Sequence, residues 1–195
     1  MALLRAATPS DFGPVLENGR VVLRTPQMSD YPAWAELRGS SREFLVPWEP
    51  RWAPDELSRS AFRRRIRHYL RDMREDMGYA LFVYDAQSDA LVGGLTLCNV
   101  RRGVTQSCTL GYWVGVKFAK QGYMTAAVRA IVPFVFDSLE LHRLEAACLP
   151  TNTASMRLLE RVGFKREGLA RRYLRINGEW RDHVLYALLE TDPCG

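Results

Sequence analysis

The chain has 195 residues, 47% apolar and 25% charged, which supports one ordinary domain with a sizeable core (domain 1–195, core about 20–190) and excludes disordered and fibrous chains. No apolar run approaches the roughly 18 residues needed to cross a bilayer. Residues 1–19 carry one basic side chain, Arg5, beside Asp11 and Glu17, without the basic end and apolar block of a secretion signal, so a cytoplasmic protein with no membrane contact is expected. The net charge of +5 points to anionic partners but does not choose among nucleic acid, a phosphorylated cofactor and an acidic protein surface.

Residues 21–24 are a β-branched strand closed by Thr25-Pro26, and Ser29-Asp30 starts a helix with Pro32 in its first turn. Residues 44–50, with two prolines and two aromatics, read as an ordered loop and not a helix. Phe62, Ile66, Tyr69, Leu70 and Met73 draw one apolar stripe, which predicts a helix over 55–77. Strands follow at 80–84 and 91–98, joined by the turn-rich 85–89, and at 107–114. Residues 124–136 return to helical period, with Met124, Ala127, Val128, Ile131, Val132 and Val135 inward; Pro133 predicts a kink or local distortion there. A strand at 144–149 precedes a short helix at 152–162 that stops at Gly163. Strands at 164–176 and 179–189, joined across Asn177-Gly178, close the pattern. The expectation is a mixed α/β fold with six or seven strands and about four helices.

The cysteines, Cys98, Cys108, Cys148 and Cys194, form no C-x-x-C pair and stand apart from His68, His142 and His183, so they read as reduced structural thiols and no metal is expected. The most informative unit is strand, loop and helix: Leu110-Gly111-Tyr112-Trp113-Val114, then residues 115–121, then Gly122-Tyr123-Met124 opening a helix. Free amides at a helix N-terminus suit a phosphate, and Lys117 and Lys120 add charge. Alone, that unit is also what an ordinary turn looks like.

About thirty residues on, Pro150-Thr151-Asn152-Thr153-Ala154-Ser155 is followed by a helix ending in Arg161-Val162-Gly163-Phe164-Lys165-Arg166-Glu167-Gly168. This order resembles the "P-x-N-x-x-S... L-x-x-x-G-F-x-x-E-G" run of the GNAT superfamily of acetyl-CoA-dependent N-acetyltransferases. The segments 44–50, 99–103, 110–112 and 177–183 are similar to the branch of RimJ-type ribosomal-protein alanine N-acetyltransferases. The resemblance implies a strongly curved mixed sheet, splayed where two parallel strands separate to admit the pantetheine arm of acetyl-CoA. It implies cofactor contacts from Tyr112, Trp113, Val114, Lys117, Ala119, Lys120, Gln121, Gly122, Tyr123, Met124, Asn152 and Ser155. It further implies direct attack of an uncharged amine on the thioester, with fixed donors for the oxyanion and a proton for the departing thiolate. No nucleophile elbow or Ser/His/Asp arrangement stands out in the sequence, in keeping with a reaction without a covalent enzyme intermediate.

The chain departs from that pattern in four places. Ala119 and Lys120 stand where the branch has Gln and Gly, Ala126 replaces a glutamate one turn into the helix, and Leu159 occupies the position of a tyrosine acid. Lys120 keeps an N–H and a charge for the loop if no positive φ is needed there. Ser155 is then the candidate donor to sulfur, with helix capping as its competing role, as for Asn152. Glu49 is the candidate carboxylate for holding a peptide α-ammonium or relaying its proton, while Trp48 reads as packing. Asp182 and His183 read as loop-bonding residues, and Tyr173 as a cleft or packing residue. Arg59, Arg63, Arg64, Arg65, Arg67, Arg71 and Arg74 form a basic helix face, either solvated or docking electrostatically on RNA or a ribosome. The resemblance favours a protein N-terminal α-amine as acceptor, the alanine of a ribosomal protein. The alternatives are a small amine, antibiotic or lysine acceptor, or a catalytically impaired cofactor- or RNA-binding module.

Overall fold

The computed structural model describes residues 13–193. Eight strands form one open mixed sheet: β1 (Val15–Glu17), β2 (Val21–Arg24), β3 (Tyr79–Asp85), β4 (Leu91–Arg101), β5 (Ser107–Val114), β6 (Arg143–Cys148), β7 (Lys165–Ile176) and β8 (Glu179–Leu189). Their order is β1-β2-β3-β4-β5-β6-β8-β7. The strand beyond the expected six or seven is β1, a three-residue edge segment too short to show a two-residue period. Every pairing is antiparallel except β5 with β6.

The helices are α1 (Tyr31–Ser40), α2 (Arg42–Leu45), α3 (Arg59–Arg74), α4 (Tyr123–Pro133) and α5 (Thr153–Val162). Strand alternation divides them between two layers. On β3, Phe82 and Tyr84 turn to Trp34, Leu37, Phe62 and Ile66 of α1 and α3. Leu81 and Val83 turn the other way, into the core shared with Val128, Ile131 and Leu159 of α4 and α5. Complete burial of Phe62, Val128 and Ile131 anchors both layers.

Two local readings need correction. The 44–50 segment is not all loop: α2 reaches Leu45, and Val46–Trp48 continues as a 3-10 turn with Pro47 near its start, where a missing N–H costs nothing. The helix expected over 55–77 is the shorter α3, capped by the Ser58 side chain accepting from the Ala61 N–H at 3.1 Å. Beyond Pro133 the α4 ladder loosens into a π-turn at Phe134–Ser138, closed by Leu139 N–H on the Phe134 carbonyl at 2.9 Å. This is the distortion that Pro133 predicts. Among the described residues, no helix is long and apolar enough to cross a membrane. Cys98, Cys108 and Cys148 are free thiols, and Cys194 lies outside the described residues.

Candidate functional site

The parallel pairing of β5 and β6 runs only from Ser107 opposite Arg143 to Leu110 opposite Ala146, although β5 continues to Val114. The two central strands therefore part after Leu110. The Gly115 N–H bonds the Val92 carbonyl of β4 at 2.9 Å, and an antiparallel ladder alternates, so Gly111 and Trp113 also face β4. The amide and carbonyl groups of Tyr112 and Val114 face the gap, where β6 offers no partner. The Trp113 indole lies on the α1/α3 side of the sheet, edge-on to Phe82, with the Arg38 guanidinium over it at 5.0 Å.

At one end of the gap stands the α4 N-terminus. The first α4 bond runs from the Ala126 N–H to the Gly122 carbonyl at 3.0 Å, so the N–H groups of Tyr123, Met124 and Thr125 have no intrahelical acceptor. Gly122 has φ +85°, which frees a residue without a side chain to turn the chain into the helix. No acidic residue stands in that first turn, so its positive end is uncompensated. Lys120 has φ +61°, which means that the loop does use a left-handed residue where the branch places glycine. Lys117 lies on the 3-10 turn before it, the Gln121 side-chain amide donates to the Lys117 carbonyl at 2.7 Å, and Ala119 uses its N–H on Val116. Met124 is buried in the core, leaving only its backbone for a ligand.

Sequence reasoning did not single out Arg20. Its guanidinium lies 4.4 Å over the Tyr123 ring, and its Nη1 is the nearest atom to the space beside Gly122. The Asn18 side chain ties the same β1–β2 turn to the Ala126 carbonyl at 3.1 Å. The Tyr123 hydroxyl donates to Asp85 at 2.8 Å. Hydrogen bonds from the Ser88 hydroxyl and N–H, and then from Tyr123, hold that carboxyl down at about 2. An isolated arginine on a turn carries no motif; only the strand pairing brings it to α4.

Across the gap, the Tyr112 hydroxyl and Ser155 Oγ are 2.7 Å apart. Burial pushes the Tyr112 phenol well up, with the Ser155 bond a smaller opposing influence, so the pair holds its protons. Burial likewise raises the Cys148 thiol at the end of β6. Asn152 is the α5 cap: its Oδ1 accepts from the Ser155 N–H at 3.1 Å. The geometry therefore separates the two competing roles. Asn152 caps the helix, while the Ser155 hydroxyl is turned to Tyr112. Leu159 lies fully in the core.

Glu49 is not a free carboxylate. Arg38 reaches it with both terminal nitrogens at 2.8 and 2.7 Å, and the Trp52 Nε1 donates at 2.8 Å. Of about four acceptor directions, three are filled. Arg38, itself buried, is stacked 4.5 Å from Trp52 and 5.0 Å from Trp113. Trp48 is 36% exposed, more open than a packing role implies.

Asp182 accepts from the Arg172 N–H at 2.8 Å, and His183 is buried, bonded to the Arg181 carbonyl and edge-on to the exposed Tyr173. On α3, Arg64 and Arg65 pair with Asp55 and Glu56, and Arg71 with Asp72; among the described residues Arg59, Arg63, Arg67 and Arg74 are exposed outside the ion pairs, Arg59 lying over Tyr31 and Arg74 bonded to the Leu70 carbonyl. Among the described residues, no group of three or more His, Cys, Asp or Glu side chains is placed to hold a metal ion.

A family profile described as Acetyltransferase (GNAT) domain matches residues 20–165. The chain is 34% identical over 178 residues to the probable N-acetyltransferase YjcK of Bacillus subtilis, covering 91% of this chain and 98% of that one. It is 34% identical over 179 residues to the [ribosomal protein uS5]-alanine N-acetyltransferase of Escherichia coli, covering 91% of each. Among solved structures, RimJ of Mycobacterium smegmatis in complex with CoA-disulfide superposes with a TM-score of 0.83 at 33% identity, covering 92% of this chain and 87% of that one.

Proposed function

The chain belongs to the GNAT acetyltransferase family, and from that premise we propose that it moves acetyl from acetyl-CoA to the N-terminal α-amine of a ribosomal protein, with alanine as the acceptor residue. The observation that carries this reading is its 34% identity, across 91% of both chains, to an enzyme named for that acceptor in Escherichia coli.

The residues present fit an acyl-CoA. The open first turn of α4, with Lys117, Lys120 and Arg20 around it, suits the pyrophosphate. The N–H groups of Tyr112 and Val114, unclaimed by β6, suit an extended amide-bearing arm in the gap and an oxyanion beside it. Bound acetyl-CoA supplies a thioester and needs no covalent enzyme intermediate. Ser155 offers its hydroxyl proton to the leaving sulfur, and Tyr112, 2.7 Å behind, replaces that proton from its own hydroxyl. Solvent then restores Tyr112. Glu49 has one acceptor direction left for an incoming ammonium and holds Arg38 between the two tryptophans. On a ribosomal acceptor, the exposed Arg63 and Arg67 of α3 would meet an anionic surface; their reversal to Glu should weaken salt-sensitive ribosome co-sedimentation.

The test is thiol release from acetyl-CoA with a panel of alanine-starting peptides, lysine peptides, polyamines and aminoglycosides. A higher kcat/KM for the alanine peptides is expected. A preference for small amines would overturn the protein acceptor, and no turnover with any amine would favour a binding module.

A further inference from the structure

A second feature lies on the acceptor side of the sheet. An open groove of about 600 Å³ runs between residues 42–54 and the β7–β8 turn, with Arg42, Val46, Arg51, Trp52, Pro54 and Asn177 in its walls. It continues past Arg51 and Asn177 to Arg175 and Glu179. The Asn177 N–H bonds the Glu49 carbonyl at 2.9 Å and fixes the turn against the loop. The walls mix apolar side chains, Val46, Trp52 and Pro54, with cationic ones, and the one anion in them, Glu179, is paired. Glu49 and Glu56 are turned onto Arg38 and Arg65, and Glu179 is paired with Arg181 at 2.7 Å. Among the described residues, no ion pair engages Arg42, Arg51 or Arg175. Arg42 stacks 5.5 Å from Trp52 and Arg175 donates to the Gly178 carbonyl at 3.0 Å, so all three keep their charge without a carboxylate, and cations beside Val46, Trp52 and Pro54 favour a ligand that brings carboxylates on a partly apolar chain.

The groove also stands at a defined height above the gap. The last β8 residue paired with β6 is Val184, opposite Cys148, so the five residues Glu179 to His183 overhang the splayed end. At about 3.4 Å per residue that overhang is about 17 Å. Trp52 shares the Arg38 stack with Trp113, so the groove wall is tied through Arg38 to β5, the strand that borders the gap. An extended peptide covers about 3.3–3.6 Å per residue, and one with its α-amine in the gap reaches the arginines at about its fifth residue. Arg63 and Arg67 line neither part of the groove, which sets it apart from the cationic face of α3.

We propose that Arg42, Arg51 and Arg175 select acceptor chains that carry acidic side chains about four to six residues from the N-terminus. This rests on the N-terminal acceptor reading above and adds a sequence preference to it. The experiment uses two alanine-starting octapeptides, identical except for Glu-Asp-Glu or Gln-Asn-Gln at positions four to six. Their binding to the CoA-saturated enzyme is measured by calorimetry, and their acetylation by initial rates.

The acidic peptide should bind about tenfold more tightly, with the difference in KM and not kcat, and the advantage should shrink between about 50 and about 500 mM salt. In the Arg51→Gln/Arg175→Gln double variant the ratio should fall to about two or less. Arg51→Lys/Arg175→Lys should restore most of it, and melting temperatures of both variants establish that they are folded. Equal binding of the two peptides to the wild type, an unchanged ratio in the Gln variant, or displacement of the acidic peptide by an equimolar single-stranded RNA octamer would each overturn the proposal. Because binding is read apart from turnover, acidic preference without acetylation would remove the N-terminal acceptor reading and leave the groove as an acidic-peptide site.

Discussion

Gly122 allows backbone strain and ligand charge to be separated with two substitutions. A Cβ built there meets only Arg20 Nη1, at 3.8 Å, so alanine is excluded by no contact and pays only for the φ of +85°. That conformation costs an L-residue about 1–2 kcal/mol, or roughly 2–8 °C in Tm for a chain of this size. The strain is present with and without ligand, so Gly122→Ala should bind acetyl-CoA within about threefold of the wild type. Gly122→Asp carries similar strain plus a carboxylate beside the open amides of α4. At about 6 Å from a phosphate charge, with an effective dielectric near 20, the repulsion is about 3 kcal/mol. Halving it for solvent exposure leaves about 1.4 kcal/mol, a tenfold loss of affinity relative to the alanine variant. Pairing of the new carboxylate with Arg20 would draw that cation away and act in the same direction. Calorimetric titration with acetyl-CoA, alongside thermal melts, reads both effects. Equal affinities in the alanine and aspartate variants would remove this helix start from the anion site.

Ser155→Ala should lower kcat on the order of 10²-fold with little change in acetyl-CoA affinity, and Tyr112→Phe on the order of tenfold. The double variant should resemble Ser155→Ala, because the two hydroxyls form one hydrogen-bonded unit; additive losses in steady-state kinetics would separate their roles. Glu49→Gln weakens the partner of a buried guanidinium and should destabilise the fold by about 2–3 kcal/mol, read by urea denaturation; an unchanged midpoint would contradict the positioning role. Lys120→Gly relieves the positive φ and should raise stability by about 0.5 kcal/mol while weakening acetyl-CoA binding a few-fold, two opposite signs that calorimetry and melting distinguish. The folded-state pKa of Asp85, about 2, lies below the ordinary aspartate value, so its contribution is complete above about pH 4 and is lost as pH falls toward 2. The Tm gap between wild type and Asp85→Asn should therefore be open at pH 6 and closed near pH 2.

Much of the fold was legible because its long elements carry their period openly. The stripe of Phe62 and Ile66 on α3 and the inward face of α4 answer to burial on one side, and the unbroken apolar run of β3 to burial on both. Pro133 also announced a kink or local distortion, though not its form as a π-turn. What escaped lacked room for a period: β1 has three residues, and α2 is a single turn inside a segment whose prolines suggested loop. The φ of Lys120 was open in the same way, since a lysine gives no sign that its backbone is left-handed. Chain order brought Ser155 and Asn152 to notice together, but only coordinates divide them into hydroxyl partner and cap.

The two sides of the gap differ in legibility for a chemical reason that also bears on specificity. The donor side is made largely of backbone: open amides at a helix start and alternate N–H groups of a splayed strand. Backbone donors survive side-chain replacement, which is how Ala119 and Lys120 can stand in a loop that other members build from Gln and Gly. On the reading proposed above, the acceptor side draws on side chains from separate segments: Arg38 from α1, Glu49 and Trp52 from the following loop, Trp113 from β5 and Arg175 from β7. No spacing rule links them, and the exposed Arg175 at the groove can be exchanged without touching the core. A fold arranged this way keeps one donor while its acceptor changes by a few substitutions. If the groove selects the acceptor as proposed, the acceptor is read from its charges, whereas the acetyl donor is read from the course of the chain.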